Sequence, residues 1–167
     1  SNPLLRITDI AATSARAHAV GALVAADNTF LSPLLQRPLE HGVDIVIHST
    51  TKFINGHSDV VGGAAVAGDP EVHTKLRLWA NALGLTSSPF DAYLTLRGLR
   101  TLDARLRVHE SNTAALVRLL DGHPAVAALH YPGLASHAGH HVAARQQSGF
   151  GSLISLDLAG GVDAVHR

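Results

Sequence analysis

Short apolar runs alternate along the first hundred residues with stretches of helical periodicity, and glycine, proline or polar residues separate them. The pattern predicts strands at 22–26, 44–48 and 60–67, and helices at 9–20, 33–41 and 69–83. The last helix follows Asp69-Pro70-Glu71, which combines a capping residue, a proline in the first turn and an acid. This alternation predicts an α/β fold with a mostly parallel sheet.

The second part of the chain has a different pattern. Residues 89–120 are helical in period with a break near Gly98, and beyond them we expect strands at 125–131 and 153–158 and a helix at 141–147. The strand at 153–158 alternates as in a half-buried antiparallel sheet. We therefore expect residues 1–100 to be the C-terminal part of a large domain, and 101–167 to be a connector helix and the beginning of a smaller α+β domain.

The charge balance and the absence of cysteine exclude several function classes. Thirteen Lys and Arg residues balance thirteen Asp and Glu, so no strong field of one sign is available to bind nucleic acid or an anionic membrane. Without cysteine neither a disulfide framework nor a thiolate metal site can form, and a reducing, cytoplasmic setting is expected. No apolar run approaches the ~20 residues that span a bilayer. Because the chain starts at Ser1 without Met, we expect flanking parts of a longer protein to be absent from it.

Two chemically useful side chains follow neighbouring predicted strands. Asp27 comes directly after the first strand, and Lys52 follows the second strand, beside Ser49 and Thr51. Ligands bind at the carboxyl ends of strands in α/β sheets, and burial there makes a lysine a usable amine. An amine, a carboxylate and hydroxyl donors are what pyridoxal phosphate requires. The alternative is that these residues only close turns and cap chain ends.

Other patterns in the sequence either match a competing motif or are explained by ordinary surface and packing residues. Residues 49–52 (Ser-Thr-Thr-Lys) also match the Ser-x-x-Lys pattern of penicillin-binding serine acyl-transferases, but strand residues precede the serine, where that pattern expects a helix. The three histidines with helical ligand spacing are expected to be surface residues, so no metal is predicted; they are His137, His140 and His141. Lys75 is expected on a solvated helix face, and Trp79 in core or interface packing. The basic stretch predicts a solvated helix or subunit face; it comprises Arg97, Arg100, Arg105 and Arg107.

Several longer segments carry a family resemblance. Residues 27–33 (Asp-Asn-Thr-Phe-Leu-Ser-Pro), 41–49, 51–52 (Thr-Lys) and 55–63 (Asn-Gly-His-Ser-Asp-Val-Val-Gly-Gly) resemble the signature of the Cys/Met-metabolism pyridoxal-phosphate enzymes. Residues 96–102 (Leu-Arg-Gly-Leu-Arg-Thr-Leu) and 131–134 extend the similarity, which covers essentially the whole chain. The resemblance implies a fold type I, aspartate-aminotransferase-like large domain and a pyridoxal 5'-phosphate cofactor.

The resemblance also implies a role for each matching residue. Lys52 corresponds to the lysine that binds the cofactor covalently and shuttles protons, and Asp27 to the partner of the pyridine nitrogen. Ser49 and Thr51 correspond to residues that hold the phosphate. Asn2 corresponds to an asparagine near the cofactor's phenolic oxygen and the substrate carboxylate. The family further implies a homotetramer, built as a dimer of dimers, and small amino-acid substrates.

Within the family, residues 79–84, 96–102 and 143–151 are most similar to bacterial cystathionine γ-synthases. That similarity implies γ-replacement, in which O-succinylhomoserine and L-cysteine give cystathionine and succinate for methionine biosynthesis. The alternatives are a cystathionine γ-lyase, a β-lyase or an O-acylhomoserine sulfhydrylase. A different class of interpretation is a catalytically silent fragment, which would lack the yellow absorbance of a bound cofactor.

Overall fold

The computed structural model describes residues 3–166, which form two compact units. The first unit comprises residues 9–105, and the second comprises residues 3–8 and 106–166. The division into domains at residue 100 stays a prediction.

The first unit contains a three-stranded sheet, four α-helices that lie wholly within it and the start of a fifth. Its elements are α1 (Ile10–His18), β1 (Ala25–Asp27), α2 (Ser32–Leu35), a 3₁₀ turn (Pro38–His41), β2 (Ile45–Ser49), a π-helical turn (Thr50–Ile54), β3 (Gly63–Ala67), α3 (Pro70–Ala82) and α4 (Pro89–Leu99). Helix α5 (Leu102–Leu120) starts in this unit and continues into the second. The predicted elements therefore exist, but the helix expected at 33–41 is divided into two short pieces, and the π-helical turn was not expected.

The sheet of the first unit has the order β1-β2-β3. Strands β1 and β2 are parallel, with Asp27 opposite Ile47, and β2 and β3 are antiparallel. Val46 and His48 of β2 are buried while Ile47 between them is exposed, because successive side chains point to opposite faces of a strand. The core on the buried face includes Leu35, Val43, Val46, Ile54 and Val60.

The first strand lies later in the chain than the apolar run at 22–26 suggested. It begins at Ala25, and Leu23 is 62% exposed rather than buried. The left-handed backbone of Gly21, with a φ of 73°, closes a turn after α1. The N–H of Val24 then donates to the Asp44 carboxylate at 2.7 Å, so the residues before Ala25 connect a turn to the sheet.

Helix starts agree well with the local signals. The Asp69 carboxylate accepts from the N–H groups of Glu71 and Val72 at the start of α3, as its position before Pro70 predicted. Ser88 caps α4 in the same manner through the N–H of Asp91. A cap of this kind satisfies N–H groups that have no partner within the helix.

Helix α3 corrects one expectation. It contains no buried residue, and Trp79 is 63% exposed. The core interpretation of Trp79 is therefore wrong within this chain, and the interface interpretation stays a prediction. Lys75 lies on a solvated face as expected, paired with Glu71 at 2.8 Å.

The second unit contains most of α5 and a two-stranded antiparallel sheet. Strands β4 (Val126–His130) and β5 (Ser155–Leu158) pair with an irregularity between Val126 and Ala128. The remaining helices are α6 (His140–Gln146) and α7 (Gly161–Val165). The antiparallel pairing confirms the alternating pattern in the sequence, whereas α7 was not expected.

Candidate active site

The parallel pairing of β1 and β2 brings the ends of both strands to one edge of the sheet. Asp27 ends β1 and Ser49 ends β2. The N–H of Asn28 donates to the carbonyl of Ile47 at 2.9 Å, and the N–H of Ser49 donates to the Thr29 hydroxyl at 2.8 Å. These two hydrogen bonds join the two chain segments directly beyond the strands, so the predicted carboxylate and hydroxyl lie on neighbouring segments.

Asp27 presents an exposed carboxylate at this edge. One of its oxygens accepts the N–H of Thr29 at 2.9 Å, which holds the side chain in a local turn. His48 lies buried on β2 and interacts electrostatically with Asp27. Burial lowers the pKa of His48 below its ordinary value, and the attraction to Asp27 opposes that shift. The carboxylate therefore sits beside a histidine that burial favours in its neutral form.

Lys52 lies in the middle of the π-helical turn that follows β2. Its own backbone is not helical, with φ −89° and ψ −125°. The turn is closed around it by hydrogen bonds from the N–H of Asn55 to Thr50 and from the N–H of Gly56 to Lys52 itself, at 2.9 and 2.8 Å. The side chain is exposed, and its amine forms no hydrogen bond or ion pair with any of residues 3–166. Lys52 thus offers a free amine on a well-defined backbone.

The two hydroxyl groups predicted to hold phosphate differ in their surroundings. Thr51 accepts the N–H of Gly62 at 3.0 Å and donates to its carbonyl at 3.3 Å. That carbonyl also accepts the N–H of Thr50 at 2.9 Å. The Ser49 hydroxyl makes no such bond within the described part of the chain. Thr51 therefore anchors the lysine turn to the segment before β3, and Ser49 has the freer hydroxyl.

The segment after Lys52 supports the turn. Asn55 is almost completely buried, and its amide donates to the Asp59 carboxylate at 2.7 Å. This bond lowers the pKa of Asp59. The ring of His57 donates to the Asn55 carbonyl at 2.6 Å. Asn55, His57 and Asp59 thus hold one another in place directly after the lysine turn.

These residues fit the requirements of pyridoxal phosphate. A free amine on Lys52, an exposed carboxylate on Asp27 and a hydroxyl on Ser49 follow two adjacent parallel strands. The hydroxyl of Thr51 lies next to the same lysine, although it is bonded to the backbone of Gly62. Asn2, the fifth predicted site residue, lies outside the described residues.

Sequence reasoning missed two residues that shape this site. Asn28 is 2% exposed, and its side-chain amide donates to the carbonyls of Ser32 and Gln36. Arg105 was expected on a solvated face, but its guanidinium contacts the lysine turn. No local pattern marks this contact, because the turn residues that Arg105 bonds to lie about fifty residues away in the chain. The buried Gly98 was a partial signal, since glycine within a helix can mark a close approach of another backbone.

Two further observations concern other kinds of site. Residues 3–166 contain no group of three or more histidine or acidic side chains that could hold a metal ion. His140 instead donates to the Pro132 carbonyl at 2.8 Å and stacks on Phe150, with ring centroids 5.4 Å apart. No helix in this described range is both long enough and apolar enough to cross a membrane.

Comparisons with known proteins show the family to which the chain belongs. The family model described as "Cys/Met metabolism PLP-dependent enzyme" matches residues 1–167. Cystathionine gamma-synthase of Escherichia coli is 51% identical over the whole chain, and cystathionine gamma-lyase of Dictyostelium discoideum is 44% identical over 98% of it. The chain spans 43% and 42% of the lengths of these relatives.

A crystal structure of cystathionine gamma synthase from Xanthomonas oryzae pv. oryzae, in complex with aminoacrylate and cysteine, superposes with a TM-score of 0.97. It is 65% identical over 99% of the chain, which covers 43% of that structure. The fold-class prediction, an α/β pyridoxal-phosphate-dependent enzyme, is confirmed by this likeness. The chain belongs to the Cys/Met metabolism family of PLP-dependent enzymes. Because the family depends on pyridoxal phosphate, the cofactor prediction is confirmed as well.

Proposed function

We propose that the protein containing this chain is a γ-replacement enzyme that converts O-succinylhomoserine and L-cysteine to cystathionine and succinate. The observation that carries the proposal is the free Lys52 amine at the sheet edge shared with Asp27, within a chain 51% to 65% identical to γ-synthases. The Xanthomonas oryzae enzyme was also solved in complex with cystathionine. Small amino-acid substrates such as O-succinylhomoserine and L-cysteine fit a site built from one amine, one carboxylate and hydroxyl groups.

Lys52 would hold the cofactor covalently and act as the general base and acid. As a free amine, Lys52 would take the proton from the substrate's α carbon and return protons to neighbouring carbons. When bound, pyridoxal phosphate supplies an electron sink that stabilises negative charge on the substrate. The absence of an ion pair at the Lys52 amine among residues 3–166 supports this role, because the amine is then available to other groups.

The other site residues would bind and orient. Asp27 would keep a proton on the pyridine nitrogen through its negative charge, and Ser49 and Thr51 would donate to the phosphate. Thr51 would do so by turning its hydroxyl away from Gly62, with which it shares a bond of 3.3 Å. Asn2 would contact the phenolic oxygen and the substrate carboxylate.

The lysine assignment is tested by trapping the cofactor on the holoenzyme that contains this sequence. Borohydride reduction followed by peptide mapping should place the pyridoxyl label on Lys52, and Lys52→Ala should abolish both the label and turnover. Lys75→Met is the matched control, because Lys75 is the only other lysine of this sequence and is exposed and paired with Glu71. Label on Lys75, or full turnover by Lys52→Ala, would overturn the assignment.

The reaction is tested by product analysis. With O-succinylhomoserine and cysteine, we expect cystathionine and succinate in equal amounts. Breakdown of cystathionine to an oxoacid and ammonia as the main activity would instead favour the γ-lyase alternative, and a relative of that kind is 44% identical. A purified protein without cofactor absorbance and without either product would favour a catalytically silent protein.

Assembly and location are also proposed. We propose a homotetramer, which the large exposed apolar side chains of α3 and α4 support; they include Leu78, Trp79, Phe90 and Tyr93. Sedimentation of the holoenzyme should give four chains per particle. A cytoplasmic location remains a prediction that cell fractionation would test.

A further inference from the structure

Arg105 makes several side-chain contacts with the lysine turn and its surroundings. Its guanidinium donates to the carbonyls of Phe53 at 2.8 Å, Ile54 at 3.3 Å and Gly98 at 2.9 Å. Its Nε donates to the Thr101 hydroxyl at 3.1 Å. One side chain on α5 therefore joins the turn that carries Lys52 to the C-terminal end of α4. The interpretation of Arg105 as part of a solvated face is wrong.

Close backbone packing surrounds this contact. Gly98 is buried on α4, and a Cβ there would lie 2.7 Å from the carbonyl oxygen of Ile54 and would also collide with that of Asn55. Gly56 has a φ of 73°, and a Cβ on it would fall on the guanidinium of Arg105. At Gly98 the two backbone carbonyls leave no room for a side chain, and at Gly56 an added Cβ would both adopt an unfavourable positive φ and displace the guanidinium. The guanidinium is thus enclosed between the lysine turn and α4.

The turn is consequently held on both sides of Lys52. On the N-terminal side, the N–H groups of Thr50 and Thr51 donate to the carbonyl of Gly62 at 2.9 and 3.4 Å. On the C-terminal side, the two carbonyls directly after Lys52 accept from Arg105. The Lys52 backbone between them has a non-helical conformation that regular helix bonding would not maintain. The direction of the Lys52 side chain depends on both anchors.

We infer that Arg105 is a positioning residue for the Lys52 amine, acting through the carbonyls of Phe53 and Ile54. The inference rests on the proposed role of Lys52. A lysine that moves protons must lie within hydrogen-bond reach of the reacting carbon, and a displacement of about 1 Å can lower the rate about 10²-fold. A planar guanidinium presents five N–H donors in a fixed fork that can reach several carbonyls, whereas the three donors of a lysine ammonium all lie on one nitrogen.

The inference is tested with Arg105→Met and Arg105→Lys in the holoenzyme, with Arg118→Met as the control. Arg118 is an exposed arginine on the same helix α5 and remote in sequence from the lysine turn. We expect Arg105→Met to lower kcat by about 10²-fold with a smaller change in KM. Arg105→Lys should recover part of the loss. The pH titration of the bound cofactor's visible absorbance should shift in Arg105→Met and not in Arg118→Met.

Three results decide the matter. A lower melting temperature in Arg105→Met, with kcat and the absorbance titration equal to those of Arg118→Met, would overturn the inference and leave the role of Lys52 intact. If Arg105→Met does not fold, the same comparison is made with Arg105→Lys, and an unchanged titration and kcat would equally overturn it. A borohydride label on a residue other than Lys52 would instead reject the proposed function itself, together with this inference.

Discussion

Replacing Asn28 by alanine should destabilise the segment that follows Asp27. Asn28 is 2% exposed. Its amide nitrogen donates to the carbonyls of Ser32 and Gln36 at 2.9 and 2.8 Å, and its amide oxygen accepts from the Gln36 side chain at 2.9 Å. All three bonds are lost in Asn28→Ala.

The size of the effect follows from these bonds. A buried hydrogen bond contributes about 1 kcal/mol net, and more when a buried partner is left unsatisfied. The Ser32 carbonyl keeps a second donor, the N–H of Gln36 at 3.3 Å. It is therefore not left without a hydrogen bond when Asn28 is removed. We expect the free energy of unfolding to fall by about 3 kcal/mol. With a urea slope of about 2 kcal/mol per molar, the unfolding midpoint should fall by roughly 1.5 M.

The assay is equilibrium unfolding in urea, followed by far-ultraviolet circular dichroism of the protein containing this sequence. Asn112→Ala, at an exposed position on α5, is the control and should change the free energy by less than about 0.5 kcal/mol. Asn28→Asp provides a second comparison. Its carboxylate would face the carbonyls of Ser32 and Gln36, so it should be less stable than Asn28→Ala at neutral pH. A fall in the midpoint below about 0.3 M for Asn28→Ala would refute the reasoning.

Two other predictions concern charge at the same sheet edge. Asp27→Asn keeps an oxygen that can accept the N–H of Thr29 but removes the negative charge. We therefore expect kcat to fall by about 10²-fold or more while most cofactor stays bound. A wild-type kcat would show that Asp27 only stabilises a turn. Burial lowers the pKa of His48 below 6.5, so the unfolded chain binds more protons than the folded chain as the pH falls through 6.5. Stability should therefore decline on acidification from pH 6.5 down through the folded pKa, and His48→Gln should remove that decline. Urea midpoints with the same pH dependence in both proteins would contradict this.

The elements that sequence predicted correctly carry their signals within a few residues. Asp69 before Pro70 places the start of α3, and its side chain caps that helix. Strand β2 follows from the β-branched run at 45–47, and its antiparallel partner β3 from the next apolar run. The lengths were less exact, since the run at 22–26 contributes only two of its residues to β1.

The candidate site was predictable for a related reason. Asp27 and Lys52 each follow a strand, and parallel pairing of β1 and β2 brings such positions to one edge. Their roles and those of Ser49 and Thr51 stay predictions. The hydroxyl of Thr51 shows the limit of this reasoning, because its bonds to Gly62 depend on how the segment before β3 folds back.

The amino-acid sequence by itself determined the element types, the approximate helix starts and the residues that belong to the strand ends, because caps, proline and apolar periodicity act over one or two turns of chain. Only the tertiary structure decided that Arg105 bonds to Phe53, fifty-two residues earlier, and that Trp79 is exposed. An arginine has the same local pattern whether its guanidinium meets water or three carbonyl oxygens. Its partners are selected by the close approach of α4 at Gly98, and that approach exists only after the helices have packed.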